Sequence, residues 1–331
     1  MERRNFIKKA SYVLAAAGTM PTVLFAARRP MTQAKRIGII GLDTSHSVAF
    51  TKALNAESPD PELHAYRIVA AYPYGSKTIE SSASRIPGYV EEVKKFGVKI
   101  VDSVESLLSQ VDYVMLETND GRPHLEQAMK VIKAGKPIFI DKPIAASWQD
   151  VRAIYEAADR AGVPIFSTSS LRYMETVQAA IKGKVGRILG ADTYSPATLE
   201  PHHPDFFWYG IHGIEMLVAL MGTGCKQVSR IHTEGTDIVI GVWQDGRVGT
   251  FRGTRTGKHT YGGTAYGENG DLTLGPYNGY DALVKEIIKF FDSGKSPVDE
   301  KETMEIYAIM VGADESKKSN GAVIQLRDIL V

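Results

Sequence analysis

The sequence predicts an α/β chain: a doubly wound parallel sheet, followed by an α+β domain on a mostly antiparallel sheet. Three observations predict it. From Lys35 onward, short β-rich runs alternate with helical patterns, as in strand–helix–strand units. Several helical patterns stop at glycine (Gly97, Gly135 and Gly162), the usual left-handed C-terminal stop. After Ser169 the alternation gives way to successive strands separated by turns such as Gln244-Asp245-Gly246 and Asn269-Gly270.

The first six strands are expected at Arg36–Gly41, Arg67–Tyr72, Val98–Val101, Asp112–Leu116, Pro137–Asp141 and Pro164–Thr168. Helices between them are expected at Val48–Asn55, Tyr89–Phe96, Val104–Ser109, Pro123–Ala134 and Trp148–Ala161. The second part opens with a helix at Tyr173–Lys182 and a strand at Arg187–Tyr194. A histidine-rich loop and an apolar helix near Ile211–Met221 follow. Strands are then expected at Val228–Thr233, Asp237–Trp243, Val248–Thr254 and Asp271–Leu274, and helices at Asp281–Ser293 and Glu302–Lys318. This divides the chain into 1–30, 35–168 and 169–331, with a cleft between the two larger parts as the default ligand site.

The chain has 331 residues, 44% hydrophobic and 23% charged, which excludes a disordered or collagen-like protein. Its 39 Lys+Arg against 38 Asp+Glu give no electrostatic case for nucleic acid. Cys225 is the one cysteine, so a disulfide framework and a cysteine-based metal site are excluded. The charge is unevenly spread. Residues 1–30 hold six Lys/Arg and one acid, Glu2, while the rest carries 33 Lys+Arg against 37 Asp+Glu.

That first segment reads as an address. Met1–Lys9 is basic, and an apolar stretch from Ala10 to Ala27 follows, interrupted by Thr19, Pro21 and Thr22. The layout is that of a secretory signal, and it is too broken for a membrane span. Arg3-Arg4-x-Phe6-Ile7-Lys8 resembles a twin-arginine export motif. The expected location is therefore the periplasm, or a membrane tether if the segment, which lacks a good A-x-A site, is not cleaved.

The turn after the first strand reads Ile37-Gly38-Ile39-Ile40-Gly41-Leu42-Asp43-Thr44-Ser45-His46. It sits where a dinucleotide-binding G-x-G-x-x-G belongs, but Asp43 and His46 stand at the second and third glycines. Thr44 and Ser45 can cap the next helix, whose N-terminus is an anion site. Asp43 and His46 either cap and pack that helix or line the cleft. No acid ends the second strand; Ser76 and Lys77 stand there, fit either for a 2′-phosphate or for solvent.

Four blocks in order resemble the Gfo/Idh/MocA oxidoreductase family: Gly38–Gly41; Leu116-Glu117-Thr118-Asn119-Asp120-Gly121-Arg122-Pro123-His124; Ala134-Gly135-Lys136-Pro137-Ile138-Phe139-Ile140-Asp141-Lys142-Pro143; and Gly210-Ile211-His212-Gly213-Ile214-Glu215. Leu171-Arg172-Tyr173 is a weaker echo. The third block is the most specific. The resemblance implies a Rossmann-like domain holding NAD or NADP through Gly38, Gly41, Asp43, Thr44, Ser45, His46, Thr118, Asn119, Asp141 and Lys142. It implies Lys142 as proton partner and His212 as catalytic base, acting on a carbohydrate-like substrate. His124, Arg172, Tyr173, Asp205 and Glu215 are candidate substrate contacts. By the same analogy a homo-oligomer is expected. Trp208 stands where many sugar dehydrogenases of the family carry Asp, four residues before the histidine.

Two readings follow. One is an exported NAD(P)-dependent oxidoreductase acting on a sugar, glycoside or cyclitol hydroxyl, with tightly bound cofactor. The other is a non-redox sugar-processing or sugar-binding protein on the same scaffold, metal-assisted or not, favoured by the broken glycine turn. Pro201-His202-His203-Pro204-Asp205 and His212-x-x-Glu215 hint at metal only modestly, and no metal ligand is assigned.

Overall fold

The computed structural model describes residues 34–258 and 260–330; the basic first segment, and the export reading made on it, lie outside them. Six parallel strands form the first sheet: β1 (Lys35–Ile40), β2 (Tyr66–Tyr72), β3 (Lys99–Ile100), β4 (Tyr113–Leu116), β5 (Ile138–Ile140) and β6 (Ile165–Phe166). Their order is β3-β2-β1-β4-β5-β6, so the winding reverses between β1 and β4. Ligands of open α/β sheets bind above such a switch point, at the strand C-termini. Strands β1, β4 and β5 are sealed on both faces, which is why they read as unbroken apolar runs.

The helices of this half are α1 (Ser45–Asn55), α2 (Glu80–Ala83), α3 (Ile86–Lys94), α4 (Val104–Leu108), α5 (His124–Lys133) and α6 (Trp148–Ala161). Helix α1 starts three residues before the apolar pattern does, because the Thr44 side chain accepts from the His46 N–H and caps it. Ser147 caps α6, and Gly162 ends it in the left-handed conformation, as its sequence position predicts.

The second half holds α7 (Glu175–Ile181), β7 (Ile188–Pro196), α8 (Ile211–Met221), β8 (Cys225–His232), β9 (Thr236–Trp243), β10 (Val248–Thr254), β11 (Gly262–Gly267) and β12 (Gly270–Leu274). It ends with α9 (Asp281–Ser293), α10 (Glu300–Lys318) and β13 (Ile324–Gln325). Its sheet runs β12-β11-β7-β10-β9-β8-β13. Only the β7–β10 pair is parallel among the paired strands of this sheet, so it is mostly antiparallel. Strand β11 carries no usable β signal: Gly262, Gly263 and Gly267 supply half of it. Helix α8 lies so close to this sheet that a Cβ on Gly213 would sit 2.2 Å from the Phe251 ring.

A division at residue 168 sorts the strands but not the helices. Helix α9 crosses back, and its Leu283, Val284, Ile287 and Ile288 share one apolar cluster with Ile37, Phe50 and Phe139 of the parallel half. Tyr307 of α10 also accepts the Ile144 N–H at 2.6 Å. No helix among the described residues is long and apolar enough to cross a membrane.

Candidate active site

A cavity of about 280 Å³ opens above the C-terminal ends of β1, β4 and β5, with the start of α8 as its far wall. Thr44, Ser45, His46, Asn119, Lys142 and His212 all line it. The structure thus brings both proposed catalytic groups and five of the proposed cofactor contacts, Lys142 counting as both, to one place.

The β1–α1 turn explains how its two departures are absorbed. Gly41 has φ 97°, and a Cβ there would meet the Thr118 nitrogen at 2.3 Å, so this glycine is required. Asp43 does not face the cavity. It is fully buried, and its carboxylate accepts the backbone N–H groups of Ser76 and Asn119, each at 2.9 Å. Gly75 leaves room for it: a Cβ there would lie 2.8 Å from the carboxylate. Burial pushes the Asp43 pKa up to about 6, against those two hydrogen bonds. Its charge is turned away from the α1 N-terminus, where Thr44 and Ser45 remain open to an anion.

His46, at the third glycine position, has Nδ1 2.6 Å from Asp141 Oδ2 and its ring 4.6 Å from that of Tyr280. Asp141 is also held by the Lys142 N–H at 2.9 Å. Burial would raise its pKa, but His46 and Lys142 outweigh it and hold the carboxyl below its usual value. The Lys142–Pro143 peptide is cis. The Lys142 ammonium forms no hydrogen bond or ion pair to a described residue, and it lies 5.8 Å from the centre of the Tyr209 ring.

On the facing wall, His212 Nδ1 is 2.7 Å from Ser169 Oγ. Burial, then the nearby Lys142 and His46, press its pKa well below 6.5, so the imidazole stays neutral at neutral pH. When Nδ1–H donates to Ser169, Nε2 keeps its lone pair for a proton.

The other predicted contacts lie elsewhere. Glu215 does not touch His212: it accepts from the Thr168 hydroxyl, from the Ser169 N–H at 2.7 Å and from Arg172 Nε at 3.0 Å. Arg172 is therefore spent on Glu215 and on Glu302, 2.6 Å away. The Tyr173 hydroxyl is buried without a partner and outside the cavity. His124 is sealed between the carbonyls of Thr118 and Ile144, at 2.6 and 3.1 Å, tying two loops together. Asp205 points to Arg230 and Lys317, both at 2.7 Å, because the π-helical turn Phe206–Gly210 turns the chain between it and His212. Gly38 and Thr118 act as packing: a Cβ on Gly38 would meet Leu107 at 2.6 Å, and Thr118 is fully buried beneath Gly41.

Nor do the other polar motifs converge on the cavity. Ser76 donates to Asp120 at 2.8 Å, and His202 pairs with Glu200. His203 Nε2 accepts the Gly121 N–H at 3.0 Å, and burial pushes its pKa down to about 4. Sequence reasoning missed Arg85, Tyr209, Tyr261, Tyr277 and Tyr280, which complete the cavity wall. No local signal marks them: Tyr209 lies in the π-helical turn, Arg85 and Tyr280 at helix starts, and Tyr261 and Tyr277 in loops.

A Rossmann-like parallel sheet thus stands against a second, mostly antiparallel sheet, with the cavity at the strand ends of the first and the start of α8. Residues 35–169 match the family model described as the Gfo/Idh/MocA oxidoreductase family, NAD-binding Rossmann fold. That match covers 135 of the chain's 331 residues. A 1,5-anhydro-D-fructose reductase of Ensifer adhaerens is 33% identical over 130 residues, 38% of either chain. An inositol 2-dehydrogenase of Paracoccus denitrificans is 30% identical over 95 residues, 28% of either chain. The chain spans about a third of the length of these curated relatives. The solved scyllo-inositol dehydrogenase of Lactobacillus casei, with NAD(H) and scyllo-inositol bound, shares the fold: TM-score 0.72 at 16% identity, covering 89% of this chain and 99% of that one. A myo-inositol 2-dehydrogenase of Lactobacillus plantarum also gives 0.72, covering 88% and 99% at 16% identity.

Proposed function

We propose that the protein is an NAD(P)-dependent oxidoreductase acting on a hydroxyl of a sugar, glycoside or cyclitol. One observation carries the reading: Lys142 and His212 face a single cavity from the two sheets, and burial keeps His212 neutral. The names of the relatives point to the same substrate class. The β1–α1 turn fits the cofactor, because Asp43 is turned inward while Thr44 and Ser45 line the cavity at the helix start.

Thr44 and Ser45 would hold the pyrophosphate, and Asn119 with Lys142 the nicotinamide end. A bound nicotinamide supplies the hydride acceptor or donor. In the oxidation direction His212 Nε2 takes the proton of the substrate hydroxyl, and Ser169 orients the ring for that transfer. The Lys142 ammonium hydrogen-bonds the same oxygen and stabilises its developing negative charge. Tyr209, Tyr261, Tyr277 and Tyr280 offer apolar faces edged by hydroxyls, which suits a ring that is itself apolar on its faces and polar at its rim. Export by the twin-arginine-like segment, carrying the cofactor inside the folded protein, and assembly as a homo-oligomer belong to the same reading.

The test has two parts. Denatured pure protein releases NAD(H) or NADP(H), identified by mass spectrometry; finding neither, together with no binding of either by calorimetry, overturns the redox reading. His212→Ala lowers kcat on a responsive polyol by about 10² to 10⁴-fold, and Lys142→Met is also impaired, with the melting temperature of each retained. Full turnover in both variants removes the assigned roles.

A further inference from the structure

At the cavity floor, three ligating side chains come together from the start of α1 and the ends of β4 and β5, and one of them, His46, also lines the cavity. His46 is the second residue of α1, which follows β1, while Glu117 lies just after β4 and Asp141 just after β5. A donor atom from each lies within 4.8 Å of the others, and all three residues are buried. The chemistry used so far accounts for His46 and Asp141 as a pair. It leaves Glu117 unexplained.

Glu117 is wholly removed from solvent, and neither carboxylate oxygen has a hydrogen-bond partner. Buried polar atoms are rarely left in that condition, because an unmade hydrogen bond costs about 1 to 3 kcal/mol and more for a charged group. A second carboxylate, Asp141, stands beside it. Two sealed carboxyls with one histidine and no partner for the first form a set that a cation would complete.

We propose that His46, Glu117 and Asp141 bind a divalent transition-metal ion at the cavity floor. One imidazole nitrogen with two carboxylates suits Mn²⁺, Fe²⁺, Co²⁺ or Zn²⁺ better than Ca²⁺, which takes six to eight oxygens. Two ligands of one tetrahedral ion, each at about 2.1 Å, lie about 3.4 Å apart. His46 Nδ1 and Asp141 Oδ2, now 2.6 Å apart, therefore spread by less than an ångström on loading. Three protein donors leave positions for water or for a ligand oxygen. The ion would lock together the loops that carry His46, Glu117 and Lys142. His46 and Asp141 are also candidate cofactor contacts, but none of the three ligands is assigned a catalytic step.

The test uses the whole protein, stripped with a chelator and then titrated separately with Mn²⁺ and Zn²⁺ by calorimetry. Nucleotide content is measured in the same sample, so a failure of the redox reading is seen independently. One saturable equivalent is expected for at least one ion, and Co²⁺ loading is expected to give a visible d–d absorption band. Glu117→Gln and His46→Gln are each expected to weaken binding at least tenfold while melting cooperatively. Absence of saturable binding by both ions overturns the proposal. So does binding of equal strength in wild type and both variants, which would place the ion elsewhere. Because the wild-type titration and the Co²⁺ spectrum need no variant, the proposal stays testable if a substitution prevents folding.

Discussion

Two glutamates, one in each half of the molecule, are both closed to solvent. Glu215, on α8, accepts hydrogen bonds from Thr168, Ser169 and Arg172. Glu117, after β4, accepts none. Burial raises the pKa of both; at Glu215 the Arg172 charge and the hydrogen bonds oppose it, whereas at Glu117 the Asp141 charge adds to it and only the Lys142 charge, with no hydrogen bond, opposes it. The difference separates a carboxylate tied into the framework from one without a hydrogen bond. Glu215 fixes the 3-10 turn Ser170–Tyr173 and, through Ser169, the ring of His212. Glu117 fixes nothing within its own hydrogen-bonding reach.

The largest effect that sharpens this comparison is expected at Glu215. Removing one partner of a buried ion pair leaves the other uncompensated, at about 3 to 5 kcal/mol. Glu215→Ala should therefore lower stability by that amount in denaturant titration, with Arg172 the stranded charge. It should also lower kcat, because Ser169 loses the anchor of its N–H. A variant with unchanged stability would mean that the Arg172–Glu302 pair alone holds the turn.

A smaller effect is expected one step along the same chain. Ser169→Ala leaves His212 Nδ1 buried without a partner, a loss of about 1 to 3 kcal/mol. About a tenfold or greater fall in kcat/KM is expected, with KM less affected. The pH profile checks the electrostatics. His212 must be neutral to act as base, and its pKa is pressed below 6.5, so the acidic limb of wild-type kcat/KM should lie below that value. Replacing Lys142 removes a cation that disfavours the imidazolium, so the residual activity of Lys142→Met should show that limb moved to higher pH. A limb at or above 6.5 in wild type would assign the base to another group.

The halves also differ in how much of each was legible in the sequence. The parallel sheet was readable because short apolar runs alternate with helical patterns, three of which stop near a glycine, as α6 does at Gly162. The β1–α1 turn was readable in position but not in the direction of its side chains. Whether Asp43 faced the cleft depended on Gly75 and on the Ser76 N–H, which belong to another loop. Asp205 illustrates the opposite failure. It lies near His212 in sequence, yet its partner Arg230 comes from β8 and draws it away. The tyrosine wall came from loops and helix ends whose convergence no local pattern records. Tyr280 reaches the cavity only because α9 packs back on the first sheet through Leu283, Val284, Ile287 and Ile288.

The smallest effect is the most discriminating for Glu117. In chelator-treated protein, Glu117→Gln replaces an unpartnered acid with a neutral amide of nearly the same shape. No hydrogen bond is broken, because none is made. The stability change should stay within about 1 kcal/mol, in contrast to the several expected at Glu215. Its sign is informative. Burial and the Asp141 charge both disfavour the ionised acid, and a neutral amide avoids that cost, so the variant should be as stable as wild type or more so at neutral pH. With Mn²⁺ or Zn²⁺ added, the order should reverse: wild type gains stability through linkage to the bound ion, and the variant gains little. A loss of several kcal/mol in the metal-free variant would show that Glu117 is framework after all, and the contrast between the two glutamates would disappear.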